Sequence, residues 1–330
     1  MQNSDLVRSR VCFAAQERYR LLFSDGEECE AAPAGALRWE ASLPAVGDWV
    51  MARRVDESLA LIEAVEARRT AISRKQAGRG HAEQVLAANV DLIAVVMGLD
   101  ADFNVRRLER YLVVAAESGA RVLVVLNKAD LCGDLDAQAR EVALVAGATP
   151  CVLLTAVQSV EPLRQWAGAG TVVLLGSSGA GKSTIANGLL GREALATGAV
   201  REDDSRGRHT TTNRMLIPLP DGGALIDTPG LRELSLWAGE GALGGVFAEI
   251  AALAAGCRFG DCTHGREPGC AVRGALEAGE IEAGRWASYQ KLLAEVRHHE
   301  RASDQAAALA EKQKWKAIHK AMRHHPKYKR

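Results

Sequence analysis

The stretch that most constrains this chain is Gly176-Ser177-Ser178-Gly179-Ala180-Gly181-Lys182-Ser183-Thr184. It follows an apolar run over 171–175 and leads into a second over 185–190, so the order reads strand, loop, helix. The pattern G-x-x-x-x-G-K-[ST] requires that order. Glycines let successive backbone N–H groups turn toward one anion, and the helix N-terminus adds its positive end. Lys182 is placed to reach the β- and γ-phosphates of a nucleoside triphosphate, and the Ser183 hydroxyl to ligate Mg2+. The plain alternative is a glycine-rich turn with a solvated lysine.

A second stretch selects the base. Asn127-Lys128-Ala129-Asp130 follows the strand-like run over 121–126. An aspartate there accepts two hydrogen bonds from the N1–H and exocyclic amine of guanine, and adenine has no such donor pair. Asn127 is expected to tie neighbouring loops and approach the guanine O6 edge, and the Lys128 stem to cover the base face. Thr155-Ala156, after the apolar run over 151–154, is placed to offer a backbone N–H to O6. The phosphate loop alone also fits a kinase, which Asn127 and Asp130 argue against.

Asp227-Thr228-Pro229-Gly230 lies 45 residues beyond Lys182, after the apolar strand-like run over 224–226. Asp227 is expected to hold Mg2+ through water, and the Gly230 N–H to sense the γ-phosphate. Between loop and Asp227 runs a polar, glycine-broken segment, 203–212, with no apolar period. It suits a loop ordered by the γ-phosphate, with Thr210, Thr211 or Thr212 reaching Mg2+; Thr211 is the named candidate. Leu231 follows Gly230 where Ras-type enzymes carry a water-orienting glutamine. His209 is then the candidate to position the attacking water, the alternative being a solvated loop histidine. The base reader precedes the phosphate loop, whereas in ordinary GTPases it comes last. That order implies a circular permutation, tolerated when termini lie close at the surface.

Around these motifs, alternating apolar runs and amphipathic stretches from Val90 predict an α/β core with a mainly parallel sheet. Residues 1–68 read as short strands between Gly/Asp/Pro turns, an OB-like β-barrel. The expected divisions are 1–68 barrel, 69–89 polar linker, 90–240 GTPase domain, and 241–330 helical domain with a basic tail. No apolar run reaches the ~20 residues that span a bilayer. The first residues lack a signal-peptide pattern and the seven cysteines are odd in number, so a reducing cytoplasm is expected, with no membrane.

Cys257-x4-Cys262-x-His264-x5-Cys270 offers three thiolates and one imidazole within fourteen residues, a match to a closed, structural zinc site. Buried unlinked cysteines or a redox pair are the plainer readings. Formal charge is zero over 330 residues, yet 312–330 holds eight Lys/Arg and no Asp/Glu. Lys312, Lys314, Trp315, Lys316, Lys320, Arg323, Lys327, Lys329 and Arg330 therefore form a candidate RNA-binding tail, charges for phosphates and an aromatic for stacking. A solvated charged face or an acidic protein partner is the alternative.

Together these residues resemble the RsgA (YjeQ/YloQ) family of circularly permuted GTPases, over nearly the whole chain. The likeness rests on Gly47-Asp48-Trp49-Val50, the permuted motifs, Gly207-Arg-His-Thr-Thr211 and the Cys/Cys/His/Cys spacing. It implies an OB-fold, a GTPase core with GTP, GDP and Mg2+, and a helical zinc domain. It also implies binding to the 30S ribosomal subunit and its 16S rRNA late in assembly, hydrolysis stimulated by that subunit, and release afterwards. A monomer is the default for such a switch. The resemblance supports His209 as the catalytic histidine. In two respects this chain departs: the barrel is poor in basic residues, and Gly179 stands where potassium-activated GTPases carry asparagine. A GTP-regulated RNA-binding module with incidental hydrolysis is the competing function.

Overall fold

The structure is a computed structural model describing residues 6–15, 18–35, 37, 43–75, 83–195, 214–227, 238–298 and 300–301. His209, Thr211, Gly230 and the basic tail from Lys312 to Arg330 lie outside the described residues.

Every residue of the central strand Leu92–Gly98 (β8) is buried, as expected of a parallel strand with both faces covered. It pairs in parallel with Arg121–Asn127 (β9) on one side and Thr171–Leu175 (β11) on the other. Cys151–Leu153 (β10) extends the sheet beyond β9, and Ala224–Asp227 (β13) extends it beyond β11, both parallel. Arg214–Pro218 (β12) then closes the core sheet antiparallel to β13. The helices Val105–Glu117 (α1), Leu135–Ala146 (α2), Glu161–Ala167 (α3) and Lys182–Leu190 (α4) connect these strands. Side-chain caps start two of them: Asn104 accepts from the Arg107 N–H and Asp134 from the Ala137 N–H, both at 3.0 Å. The core sheet therefore runs β10-β9-β8-β11-β13-β12, parallel except at its last strand.

The N-terminal strands Val7–Ala15 (β1), Arg18–Leu22 (β2), Glu28–Pro33 (β3), Trp49–Arg54 (β4) and Leu59–Val65 (β5) run in the order β1-β2-β3-β5-β4. A β4–β1 pairing closes them into a five-stranded OB-like barrel. Alternating burial along β2 sends Tyr19 and Leu21 inward, where they meet Val11, Val50 and Ile62. Glu28–Pro33 carries glutamate, alanine and proline, poor strand formers, so its strand was not expected from sequence; its partners hold it there.

Barrel and core share one hydrogen-bonded seam, because β1 pairs with β12 and merges the barrel strands and the core strands into an 11-stranded sheet. Gly47 makes the close approach workable. Its φ is 92°, and a Cβ there would stand 2.1 Å from the Ala88 carbonyl oxygen. Asp48 beside it is fully buried, takes both arms of Arg68 at 2.8 Å and accepts the Ala45 N–H at 2.7 Å. The segment expected to be a polar linker contains an antiparallel ribbon, Ala71–Lys75 (β6) with Glu83–Ala88 (β7). Its glycines and charges suggested a linker, but Ile72, Leu86 and Ala87 are buried against the core, and that burial decides the strand state.

Beyond the core, Glu240–Val246 (α5) packs on α1, Ala248–Ala255 (α6) packs on α5, Ala271–Glu277 (α7) packs on α6, and a helix over 283–298 (α8) reaches α1 through ion pairs. The contact includes a buried ion network. Glu109 on α1, fully buried, accepts from Arg106 at 2.6 Å and from Arg285 at 3.0 Å. Arg285 also reaches Glu249 at 2.7 Å and the Val246 carbonyl at 2.8 Å, with its guanidinium over the Phe247 ring. Among the described residues no helix is long and apolar enough to cross a membrane.

Candidate functional site

Parallel sheets present ligand sites at the carboxyl ends of their strands. Here the ends of β8, β9, β11 and β13 carry, in turn, Asp100, Asn127, Gly176 and Asp227. The phosphate-loop glycines are demanded by geometry. Gly176 has a φ of 149°, and a Cβ on it would fall 2.2 Å from the Val96 carbonyl oxygen. Gly181 has a φ of 95°, and a Cβ on it would fall 2.1 Å from Asn127 Nδ2. Lys182 Nζ donates to the Gly176 carbonyl at 2.8 Å and to that of Ser177, so it lies along its own loop. Ser183 and Thr184 follow in the first turn of α4; Ser178 and Gly179 are exposed at the loop tip, and Ala180 is buried beneath it.

Asn127 links three segments. It is 2% exposed, its Nδ2 donates to the Ala180 carbonyl at 3.0 Å, and its Oδ1 accepts the Ala156 N–H at 3.0 Å. The Ala156 N–H expected to face guanine O6 is thus engaged by Asn127. Thr155 starts a tight turn, its carbonyl accepting from Gln158 and Ser159. Lys128 takes a left-handed φ of 63° and leads into the single turn Ala129–Leu131 that carries exposed Asp130. Asp227 ends β13 opposite Met215.

Two carboxylates that the motifs do not include stand in the same place. Asp100 Oδ2 accepts from Lys128 Nζ, and Asp102 accepts from Ser177 Oγ and, at 2.6 Å, from Arg107 Nη1. Burial pushes both carboxyls up. Hydrogen bonds from Lys128 to Asp100, and from Ser177 and Arg107 to Asp102, more than offset it and leave both below the ordinary carboxylate value. The sequence signal for them is an Asp-x-Asp directly after a buried strand.

Separately, the spacing over 257–270 does bring its four ligands together. One ligand atom from each of Cys257, Cys262, His264 and Cys270 lies within 4.8 Å of the others. His264 Nδ1 is 3.5 Å from the sulfurs of Cys257 and Cys270, which are 3.9 Å apart. A tetrahedral centre with metal–sulfur bonds of about 2.3 Å and metal–nitrogen bonds of about 2.0 Å requires S···N of about 3.5 Å and S···S of about 3.8 Å. These donors therefore fit zinc. Burial lowers the His264 pKa, favouring the neutral imidazole that ligates metals. Its ring meets the edge of Trp286, which stacks on Tyr289, which meets Phe247, so α8 and the start of α6 anchor the cluster. Glu267 stitches the loop, accepting the Thr263 hydroxyl and N–H and the Gly265 N–H. The Thr263 hydroxyl is the main reason its carboxyl is pulled down to about 2.

A sequence model of the RsgA GTPase family matches residues 65–237. The small ribosomal subunit biogenesis GTPase RsgA of Opitutus terrae is 49% identical, over 97% of this chain and 92% of its own. That of Leptospira interrogans is 41% identical, over 96% of this chain and 90% of its own. Among solved structures, YjeQ from Thermotoga maritima superposes with a TM-score of 0.66 at 25% identity, covering 88% of this chain and 98% of that one. YloQ, described as a circularly permuted GTPase, superposes at 0.64 and 22% identity, covering 90% and 98%. The permuted order read from the motifs and the extent of these likenesses agree: this chain is a GTP hydrolase that belongs to the RsgA GTPase family.

Proposed function

We propose that this protein is a maturation factor of the small ribosomal subunit, acting late in 30S assembly in the cytoplasm. GTP hydrolysis would be stimulated by that subunit and coupled to release. The observation that carries the proposal is 49% identity, over nearly the full length of both chains, to a protein named for small-subunit biogenesis. In this reading Asp130 and Asn127 read guanine, residues 176–184 with Lys182 hold the phosphates, and Ser183, Asp227 and Thr211 hold Mg2+. The ion supplies charge neutralisation at the phosphates. His209 orients the attacking water, Gly230 senses the γ-phosphate, and the tail from Lys312 to Arg330 binds 16S rRNA. Cys257, Cys262, His264 and Cys270 hold one structural zinc, which leaves no vacant position for chemistry.

The test is GTP hydrolysis by the full chain alone, with 30S subunits, and with 50S subunits. A slow basal rate raised many-fold by 30S alone is the expected result. Equal rates in all three conditions would remove the ribosomal role and leave hydrolysis incidental to RNA binding.

A further inference from the structure

The turn after β8 is held at both ends and touches both halves of the nucleotide site. At its start the Leu99 N–H donates to the Asn127 carbonyl at 2.9 Å, and at its end Asn104 caps α1. Within it, the Phe103 N–H donates to the Asp100 carbonyl at 3.0 Å and the Asp102 N–H to Asp100 Oδ1 at 3.2 Å. That leaves two carboxylate oxygens aimed outward: Asp100 Oδ2 on Lys128 of the base reader, and Asp102 Oδ2 on Ser177 of the phosphate loop.

Carboxylates beside a triphosphate site are unfavourable by simple Coulomb repulsion unless their charge is cancelled locally. Here each has its own cation, Lys128 for Asp100 and Arg107 for Asp102. The turn therefore adds no net charge, while its oxygens still orient hydroxyl and ammonium groups. Phosphate loops work through converging backbone N–H groups, so fixing Ser177 fixes the start of that convergence. The Lys128 stem covers a base only if its head is held to one side, which Asp100 does.

We propose that Asp100 and Asp102 are positioning residues of the GTP site, Asp102 setting the phosphate loop through Ser177 and Asp100 setting the base reader through Lys128. One turn then couples the two halves of the site. The proposal rests on reading 127–130 and 176–184 as that site.

The test is titration of the full chain with a fluorescent guanine nucleotide, N-methylanthraniloyl-GDP. Losing a hydrogen bond to a charged group should weaken binding about tenfold in Asp102→Ala and about equally in Ser177→Ala. The double variant should be no weaker than either single one, and Asp102→Asn, which keeps an acceptor oxygen, should recover most of the loss. Asp100→Ala and Lys128→Ala should show the same non-additivity. A merely structural role would lower thermal stability without that coupling. Wild-type affinity in Ser177→Ala, or additive losses in the doubles, would overturn the proposal. If Asp102→Ala does not fold, Ser177→Ala and Asp102→Asn still decide it. Failure of the wild-type chain to bind the nucleotide would instead overturn the site reading beneath it.

Discussion

The phosphate loop and the cysteine knuckle are both short, glycine-bearing loops that lead into helices, yet they are held in opposite ways. Beneath the phosphate loop lies a sheet whose central strand is wholly buried, and the loop's shape comes from glycine main chain pressed against the Val96 carbonyl at Gly176 and against the buried Asn127 amide at Gly181. No residue from 258 to 269 is buried, and Phe259 is 42% exposed. There the shape comes from four side chains converging on one point. The first loop should keep its shape through changes at its exposed tip, Ser178, and fail when a Cβ is added at Gly176 or Gly181. The second should tolerate added carbon at Gly260, where no atom lies within 4 Å of a Cβ, and fail when a ligand is lost.

Removing a ligand is the largest expected effect. Metal binding contributes about 10–16 kcal/mol to small zinc modules, far more than the exposed knuckle can recover from packing. Cys262→Ser should release one metal equivalent on elemental analysis and open 257–270 to proteolysis, while guanine-nucleotide affinity is retained. Loss of nucleotide binding along with the metal would break the separation between the two loops.

The seam between the regions should be next. Glu109 is fully buried against Arg285, so Glu109→Leu takes one of the two carboxylates from a buried guanidinium that keeps Glu249, and should lower stability by about 2–3 kcal/mol in urea denaturation. Adding Arg285→Met should recover most of that, since a matched apolar pair carries no uncompensated charge. No recovery would show that Arg285 acts mainly through Glu249 and Val246.

Gly181→Ala tests the main-chain side of the contrast. A left-handed φ with a side chain plus a displaced Asn127 amide costs about 2–3 kcal/mol, or roughly 30- to 150-fold in nucleotide affinity. The metal content should stay at one equivalent. Gly179 also has a positive φ of 82°, but no atom lies within 4 Å of a Cβ there, so Gly179→Ala should cost less.

Thiol reactivity gives the smallest and sharpest contrast. Burial pushes the Cys12 thiol up to about 12, so at pH 8 it stays protonated and unlabelled by iodoacetamide. Burial also raises Cys257, but the Val272 and Ala271 N–H groups and the neighbouring thiols outweigh it, leaving it below its ordinary value. Chelating the metal should therefore expose Cys257 to labelling, first among the two. Mass spectrometry of the labelled peptides would reveal the reverse order if the contrast is wrong.

Much of the site was legible because its motifs are local. Gly176 to Thr184, Asn127 to Asp130 and the Cys/Cys/His/Cys run each place their groups within one loop, where spacing alone determines which can converge. The helices Val105–Glu117 and Leu135–Ala146 were equally legible, from their apolar period. Glu161–Ala167 escaped because seven residues with a proline in the first turn show too little period. The ribbon at 71–88 escaped because its apolar residues are few and its charges many.

The sequence by itself determined the local motifs: the glycine loop 176–184, the run Asn127 to Asp130, the Cys/Cys/His/Cys cluster and their permuted order. Each depends on residues close in the chain, whose geometry the backbone's few allowed conformations restrict. Only the tertiary structure decided that Asp102 meets Ser177 across 75 residues, and that Glu109 meets Arg285 across 176. It alone placed Gly47 against Ala88 to join barrel and core. Such contacts have no spacing rule, because strand order and helix packing, rather than chain distance, set which side chains share a volume.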